Sequence, residues 1–318
     1  PPMSLLDSFS FPDGYQPKIT GHKEAKEIPY GFPTIGIAKL WFRYMQHLDC
    51  AVYGAENIPT DGPAMIAVNH TGYWDFTYGG IPAHVRGGRV VRFMAKKEIF
   101  DVKGVGALMS SYNHIPVDRA DGQASVDQAI KQLKVGDLVG IFPEATISRS
   151  FEIKEFRQGA ARIAYEAGVP LIPLTIWGSQ RVWTKGRKPI WRPKETQLVI
   201  TVGKPVEVTE DAQATTERLH QTMVEQMDLT RQRWEERFGP MPKGEFWVPA
   251  ALGGAAPTLE EATVQDRADA AARKEKRAKE KAEAELRAAT EAREREQATG
   301  INKILVPLRQ RINRLRKK

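Results

Sequence analysis

The sequence predicts an α/β fold: a central, mostly covered β-sheet flanked by helices, preceded by an amphipathic helix and followed by a long charged helical tail. Three observations carry this. Short apolar runs recur at residues 51–53, 64–68, 90–94, 114–117, 138–142, 171–177 and 198–202. Such runs, without polar alternation, suit strands covered on both faces. Helical patterns lie between them, which argues for alternating strands and helices around one sheet. Finally, the composition changes sharply near Pro249 and Pro257, from tryptophans, β-branched residues and Gly/Pro turns to an Ala/Glu/Lys/Arg segment.

In chain order, residues 1–30 are polar and punctuated by proline, which predicts a loose arm. From Ile37 onward, Leu40, Trp41, Tyr44, Met45 and Leu48 keep a helical apolar spacing. A turn-rich stretch, 57–63, separates the first two strands. The clearest helix covers 125–133, with Ser125 as its N-cap and Val126, Ala129, Ile130 and Leu133 as its buried stripe. Further helices are expected at 159–167 and 214–238. Residues 259–298 favour helix by propensity but hold no apolar stripe, so they read as a solvated helix or spacer, with disorder as the alternative. The expected organisation is an arm at 1–30, a folded domain at 31–250, a charged spacer at 251–300 and a terminal helix at 301–318.

The chain has 318 residues, 47 Lys+Arg, 39 Asp+Glu and a formal charge of +8. Residues 1–256 contribute +2, residues 257–300 contribute −1, and the last eighteen contribute +7 with no acid among them. A nearly neutral body does not support a nucleic-acid footprint. In the last eighteen residues Ile301, Ile304, Leu305, Leu308, Ile312 and Leu315 fall on one helical arc of roughly 100°. Basic residues flank it, so the segment reads as a membrane-surface helix for anionic lipid, with docking on another protein as the alternative. The single cysteine excludes a disulfide framework and a cysteine-ligated metal site, and fits a reducing compartment. No run of 18 apolar residues occurs and no signal-peptide pattern opens the sequence. A cytoplasmic protein, peripheral on the inner face of the cell membrane, is expected.

Four blocks carry the chemistry. The run 64–68 ends in Asn69-His70-Thr71-Gly72-Tyr73-Trp74-Asp75. A strand end followed by a glycine turn is where α/β proteins place reactive side chains. Positions five apart diverge on a continuous helix. His70 and Asp75 therefore meet only if His70 lies on the turn and Asp75 in the first turn of the next helix. The carboxylate would then hold one imidazole nitrogen and leave the other free to take a proton. A second apolar run exits into Phe142-Pro143-Glu144-Ala145-Thr146-Ile147-Ser148-Arg149-Ser150, whose hydroxyls, acid and arginine suit a polar phosphorylated substrate. Ile115-Pro116-Val117-Asp118-Arg119 delivers another arginine, and Val169-Pro170-Leu171-Ile172-Pro173-Leu174 reads as core.

In this order the blocks resemble the glycerophospholipid acyltransferase family. His70 and Asp75 match its Asn-His-(four residues)-Asp signature. Lys96, Gly106 and Arg119 follow its second block, residues 142–148 its third and residues 169–173 its fourth, and the likeness runs over about residues 35–240. Ala145 and Ile147 stand where the third block usually has glycine and arginine. That arginine is a phosphate contact in family members, and Arg149 or Arg119 could supply the charge instead.

The resemblance implies acyl transfer from acyl-CoA, or from an acyl carrier protein, to a hydroxyl of 1-acylglycerol 3-phosphate or glycerol 3-phosphate. The product would be phosphatidic acid or its precursor. His70 would be the general base and Asp75 its orienter. Lys96, Arg119, Glu144, Thr146, Ser148 and Arg149 would serve the substrate, with Glu144 orienting either the glycerol or the loop. No metal or other cofactor is expected, acyl-CoA being a co-substrate. Two alternatives stay open: another lipid acceptor, such as a lysophospholipid or glycolipid, and a non-catalytic lipid-binding scaffold on the same fold.

Overall fold

The structure, a computed structural model, describes the backbone of residues 4–28, 30–118 and 122–315, and their side chains apart from 32, 105 and 296–315. The chain forms two units, divided after Leu259. In chain order the first unit holds a turn at Leu5–Ser8, β1 (Phe9–Ser10), a turn at Lys23–Lys26 and α1 (Ile35–Leu40). β2 (Leu48–Tyr53), β3 (Ala64–Val68), α2 (Asp75–Gly79), α3 (Ile81–His84), β4 (Val91–Lys96), α4 (Lys97–Phe100), α5 (Val105–Ser111) and β5 (Ile115–Val117) follow. It closes with α6 (Gly122–Lys134), β6 (Leu138–Ile141), α7 (Gly159–Ala167), β7 (Leu171–Trp177), β8 (Thr196–Val202) and α8 (Ala212–Phe238).

The strands build one sheet in the order β1-β2-β8-β7-β3-β6-β4-β5. β7, β3, β6, β4 and β5 run parallel, and β8 pairs antiparallel to β7, register Leu174↔Val202 to Trp177↔Val199. The carboxyl ends of β7, β3 and β6 therefore open side by side at one edge of the sheet. All five residues of β3 are buried because both faces are covered. Met65 and Ala67 join a core with Ala129 and Leu133 of α6, Ile163 of α7, and Leu219, Met223 and Trp234 of α8. Ala64, Ile66 and Val68 join the opposite core with Phe42, Tyr78 and Ile81. Side chains alternate across a strand, so a continuous apolar run is what a two-sided core requires. The α/β fold read from the sequence is the one the chain adopts.

Several local expectations change. The arm is docked: β1 pairs with β2, Lys18 bridges to Arg86, and Glu24 is fully buried against Arg89. Glu24 accepts from Arg89 Nη2 at 3.1 Å and from the backbone N–H of Val90 at 2.6 Å. Arg89 also donates to the carbonyls of Pro59, Gly62 and Gly136. Leu5 is buried, and Leu6, Phe9, Phe11 and Tyr15 pack against the core. The arm is thus held by apolar contacts as well as polar pairing, at irregular spacings that match neither a strand nor a helix period. Ser125 is not an N-cap, because α6 starts at Gly122 and the Ser125 hydroxyl donates to Pro116 O across to β5. The helical stretch around α1 leaves Ile37, Leu40 and Tyr44 exposed and buries Phe42 instead, while Leu48 begins β2. The body extends past residue 250: Ala256 is buried, and the Ala255 and Ala256 N–H groups donate to Glu245 O and Val248 O.

The second unit consists of α9 (Leu259–Leu315), which begins at the last residue of the first. It carries exposed i,i+4 pairs such as Glu275–Lys279 at 2.6 Å and Lys276–Glu280 at 3.7 Å, each worth little on its own. The side chains of the proposed membrane-surface segment 301–318 lie outside the described residues. No helix among the described residues is long and apolar enough to cross a membrane.

Removing one partner of a buried ion pair strands the other charge, at a cost of about 3–5 kcal/mol. Glu24→Ala is therefore expected to lower unfolding stability by about that much in urea titration. A change under about 0.5 kcal/mol would mean that the arm contributes nothing to the fold.

Candidate active site

The edge where β7, β3 and β6 end carries the first and third blocks. Asn69, fully buried, follows β3 and pairs with the backbone of Ile176 in β7. Its Nδ2 donates to Ile176 O at 3.1 Å and its Oδ1 accepts from Ile176 N at 2.6 Å. One side-chain amide thus extends the ladder by one step and fixes where the chain leaves the sheet. His70 comes next, on the turn, and Asp75 opens α2. The turn closes tightly at Gly72, where a Cβ would sit 3.0 Å from both Ser179 Oγ and Trp183 O.

The Asp75 side chain has no exposed surface, while that of His70 is 20% exposed. Asp75 Oδ2 accepts from His70 Nδ1 at 3.0 Å, from Thr71 N at 2.7 Å and from Gly72 N at 2.8 Å. Oδ1 accepts a short hydrogen bond from the hydroxyl of buried Ser179, which lies 3.2 Å from Thr71 Oγ1. Because a carboxylate only accepts, Nδ1 carries the imidazole proton and Nε2 keeps its lone pair. The ring of His70 stacks on Phe142, centroids 4.2 Å apart, and Phe142 stacks on Phe93 at 5.4 Å. Imidazole position is thus set from the side by an aromatic face and from behind by the carboxylate.

The loop after β6 grips the backbone of His70. Glu144 Oε1 accepts from His70 N at 2.8 Å, and Ser148 N donates to His70 O at 2.7 Å. Glu144 Oε2 accepts from Lys154 N at 3.0 Å. Burial pushes the Glu144 carboxyl up from 4.5 to about 7, against the opposing pull of those two backbone N–H groups. The folded chain therefore holds a proton there that the unfolded chain releases, so this group lowers stability as pH rises from about 4.5 to about 7. Within the loop Ala145 adopts φ 61°, a left-handed conformation, and Ile147 is buried.

Of the residues singled out in the sequence, His70 and Asp75 meet directly, and Glu144 touches the backbone of the same histidine. Ser148 is fully buried, its hydroxyl donating to Glu152 O at 2.7 Å. Thr146 accepts from Lys154 Nζ at 2.5 Å. Lys96 is exposed at the carboxyl end of β4. Arg149 reaches the loop after β7, its Nη1 lying 3.5 Å from where a Cβ on Gly186 would stand. Arg119 lies outside the described residues. Sequence reasoning missed the roles of Asn69, Phe142 and Ser179. Gly178-Ser179 directly after β7 repeats the strand-exit signal that marked His70, and would have flagged Ser179.

A family model described as Acyltransferase matches residues 49–177, which span β3, the dyad and the loop after β6. The 1-acyl-sn-glycerol-3-phosphate acyltransferase of Bacillus subtilis is 37% identical over 142 residues, covering 43% of this chain and 68% of that protein. This chain belongs to the acyltransferase family. The chloroplastic 1-acyl-sn-glycerol-3-phosphate acyltransferase BAT2 of Brassica napus is 29% identical over 170 residues, 52% of this chain and 48% of the plant protein. The chain thus spans about two thirds of the bacterial relative and about half of the plant one. Among solved structures, the 1-acyl-sn-glycerophosphate (LPA) acyltransferase PlsC of Thermotoga maritima is 26% identical, with a TM-score of 0.47 over 65% of this chain and 78% of its own.

In this acyltransferase the left-handed residue of the third block carries a Cβ that glycine would lack, a cost of roughly 1–2 kcal/mol. Glycine's greater freedom in the unfolded chain returns part of it. Ala145→Gly is expected to raise stability by about 0.5–1 kcal/mol in thermal or urea unfolding. A destabilised variant would show that the methyl group contributes packing that outweighs its strain.

Proposed function

We propose that the enzyme moves a fatty acyl group from a thioester donor, acyl-CoA or acyl carrier protein, to a free hydroxyl of 1-acylglycerol 3-phosphate or glycerol 3-phosphate. The observation that carries this reading is the orientation of His70: Nδ1 is held by buried Asp75, and Nε2 is left as a base at the open edge of the sheet. A thioester carbonyl is already electrophilic, so the chemical demand is to deprotonate an alcohol and to stabilise an oxyanion. His70 Nε2 takes the hydroxyl proton as the alcohol oxygen attacks the carbonyl carbon. Collapse of the tetrahedral oxyanion breaks the C–S bond, and the imidazolium returns its proton to the departing sulfur, so the donor leaves as a free thiol and His70 is neutral again. General-base catalysis of this kind is worth ~10²–10⁴-fold. Asp75 keeps the tautomer and stabilises the imidazolium.

Cys50 is no nucleophile in this scheme, since it is buried within β2 and burial pushes its thiol far above the ordinary range. Lys96, Arg119, Thr146 and Arg149 are the proposed contacts for the acceptor phosphate or the donor. Glu144 and Ser148 act through the loop, because both side chains are buried and engaged there. A second reading keeps the chemistry and changes the acceptor to a lysophospholipid or glycolipid. Buried Ile147, where the family pattern has a phosphate-binding arginine, favours it. The tail 301–318 is proposed to hold the enzyme at an anionic membrane surface on the cytoplasmic side.

His70→Ala should lower kcat by ~10³-fold while circular dichroism still reports a folded chain, because three other donors continue to hold Asp75. Radiolabelled acyl-CoA offered with a panel of acceptors provides the measurement, and also separates the two acceptor readings. Substantial turnover by the purified variant would refute the dyad.

Deleting residues 301–318 should weaken sedimentation with anionic vesicles at least about tenfold, the loss shrinking as salt is raised. Unchanged sedimentation would remove the tail from the membrane reading.

A further inference from the structure

A second basic element lies in the body, after β7, where segment totals conceal it. Residues 183–194 read Trp-Thr-Lys-Gly-Arg-Lys-Pro-Ile-Trp-Arg-Pro-Lys, five cations with no acid. Without those five, the +2 of residues 1–256 would be −3, so this acid-free loop accounts for the net positive sign of the body. Arg187, Lys188, Arg192 and Lys194 are exposed. Between them project two large apolar side chains, Ile190 at 50% and Trp191 at 55% exposure.

The loop is ordered despite this exposure. Ile190 N donates to Val182 O at 2.9 Å, His47 Nδ1 lies 3.0 Å from Pro193 O, and the Thr184 hydroxyl donates to Thr71 O at 2.7 Å. It is also tied to the His70 turn. Tyr73 N donates to Trp183 O at 3.0 Å, the Tyr73 and Trp183 rings lie 4.4 Å apart, and Trp183 contacts Trp191 at 6.3 Å.

We propose that residues 183–194 form a docking surface for an anionic phospholipid bilayer, separate from the C-terminal tail. The chemistry is complementary on two counts. Tryptophan and isoleucine held outward enter the interfacial layer, where an aromatic ring with one polar edge is favoured. Flanking lysines and arginines meet lipid phosphates at about 1 kcal/mol each near the surface. Because the same loop is hydrogen-bonded to the turn that carries His70, docking presents the dyad to substrates dissolved in the bilayer. The inference does not depend on which acceptor is used.

The test uses the full-length chain with vesicles of phosphatidylglycerol and phosphatidylcholine, some carrying bromine on the acyl chains. The tail holds no tryptophan, so quenching of tryptophan fluorescence by brominated lipid reports on the body alone. The wild type should be quenched, and Trp191→Phe should lose at least half of that quenching. The double substitution Lys188→Gln with Arg192→Gln should weaken vesicle binding about thirtyfold at low salt, with unfolding unchanged because both side chains are exposed. Vesicle binding without quenching of the wild type, or wild-type binding by the double variant, overturns the proposal. So does a loop that binds an acidic carrier protein while leaving vesicle binding untouched.

Discussion

A carboxylate with no exposed surface persists in a folded protein only where donors surround it, and Asp75 meets that condition with two backbone N–H groups, a hydroxyl and an imidazole. Each donor belongs to a piece of chain that must be somewhere in particular. Thr71 and Gly72 define the turn after β3, Ser179 brings the exit of β7, and His70 stands on that turn beside the carboxylate. Satisfying one buried charge therefore assembles two strand exits and sets one tautomer. The arrangement depends on β7 and β3 being parallel neighbours, which places both carboxyl ends at the same edge.

Glu144 does comparable work from the other side. Its two oxygens join the loop after β6 to the backbone of His70 and to Lys154, so a side chain in the third block acts on the histidine through the main chain. The departures from the family pattern gain physical meaning here. Ala145 occupies a left-handed position that glycine would fill without strain, and Ile147 is buried where an arginine would have to reach a ligand. The loop keeps its shape at the first position and gives up a charge at the second.

Charge is distributed to match. A formal +8 suggests a generally basic protein, yet the body is close to neutral, with five cations and no acid in residues 183–194 after β7, while the last eighteen residues hold +7. Both basic elements interleave apolar residues with cations, whereas 257–300 alternates charges without any apolar stripe and forms a solvated helix through the described residues. Partner preference follows from that interleaving more than from net charge.

By itself the sequence determined the fold class, the bounds of β3, α7 and β7, and the His70–Asp75 pair. Apolar period and strand-exit position are local properties, and they survive in a linear reading. Other features depended on the tertiary structure: the docked arm through Glu24 and Arg89, the bridging hydroxyl of Ser125, the Asn69 pairing with Ile176, and Ser179 behind the dyad. Each is a polar contact between residues distant in the chain, except Ser125, whose partner Pro116 is nine positions away. A strand-exit position can flag a residue such as Ser179, but its partner stays hidden in a linear reading, because a buried hydrogen bond is specified by where two backbones approach and not by either one alone.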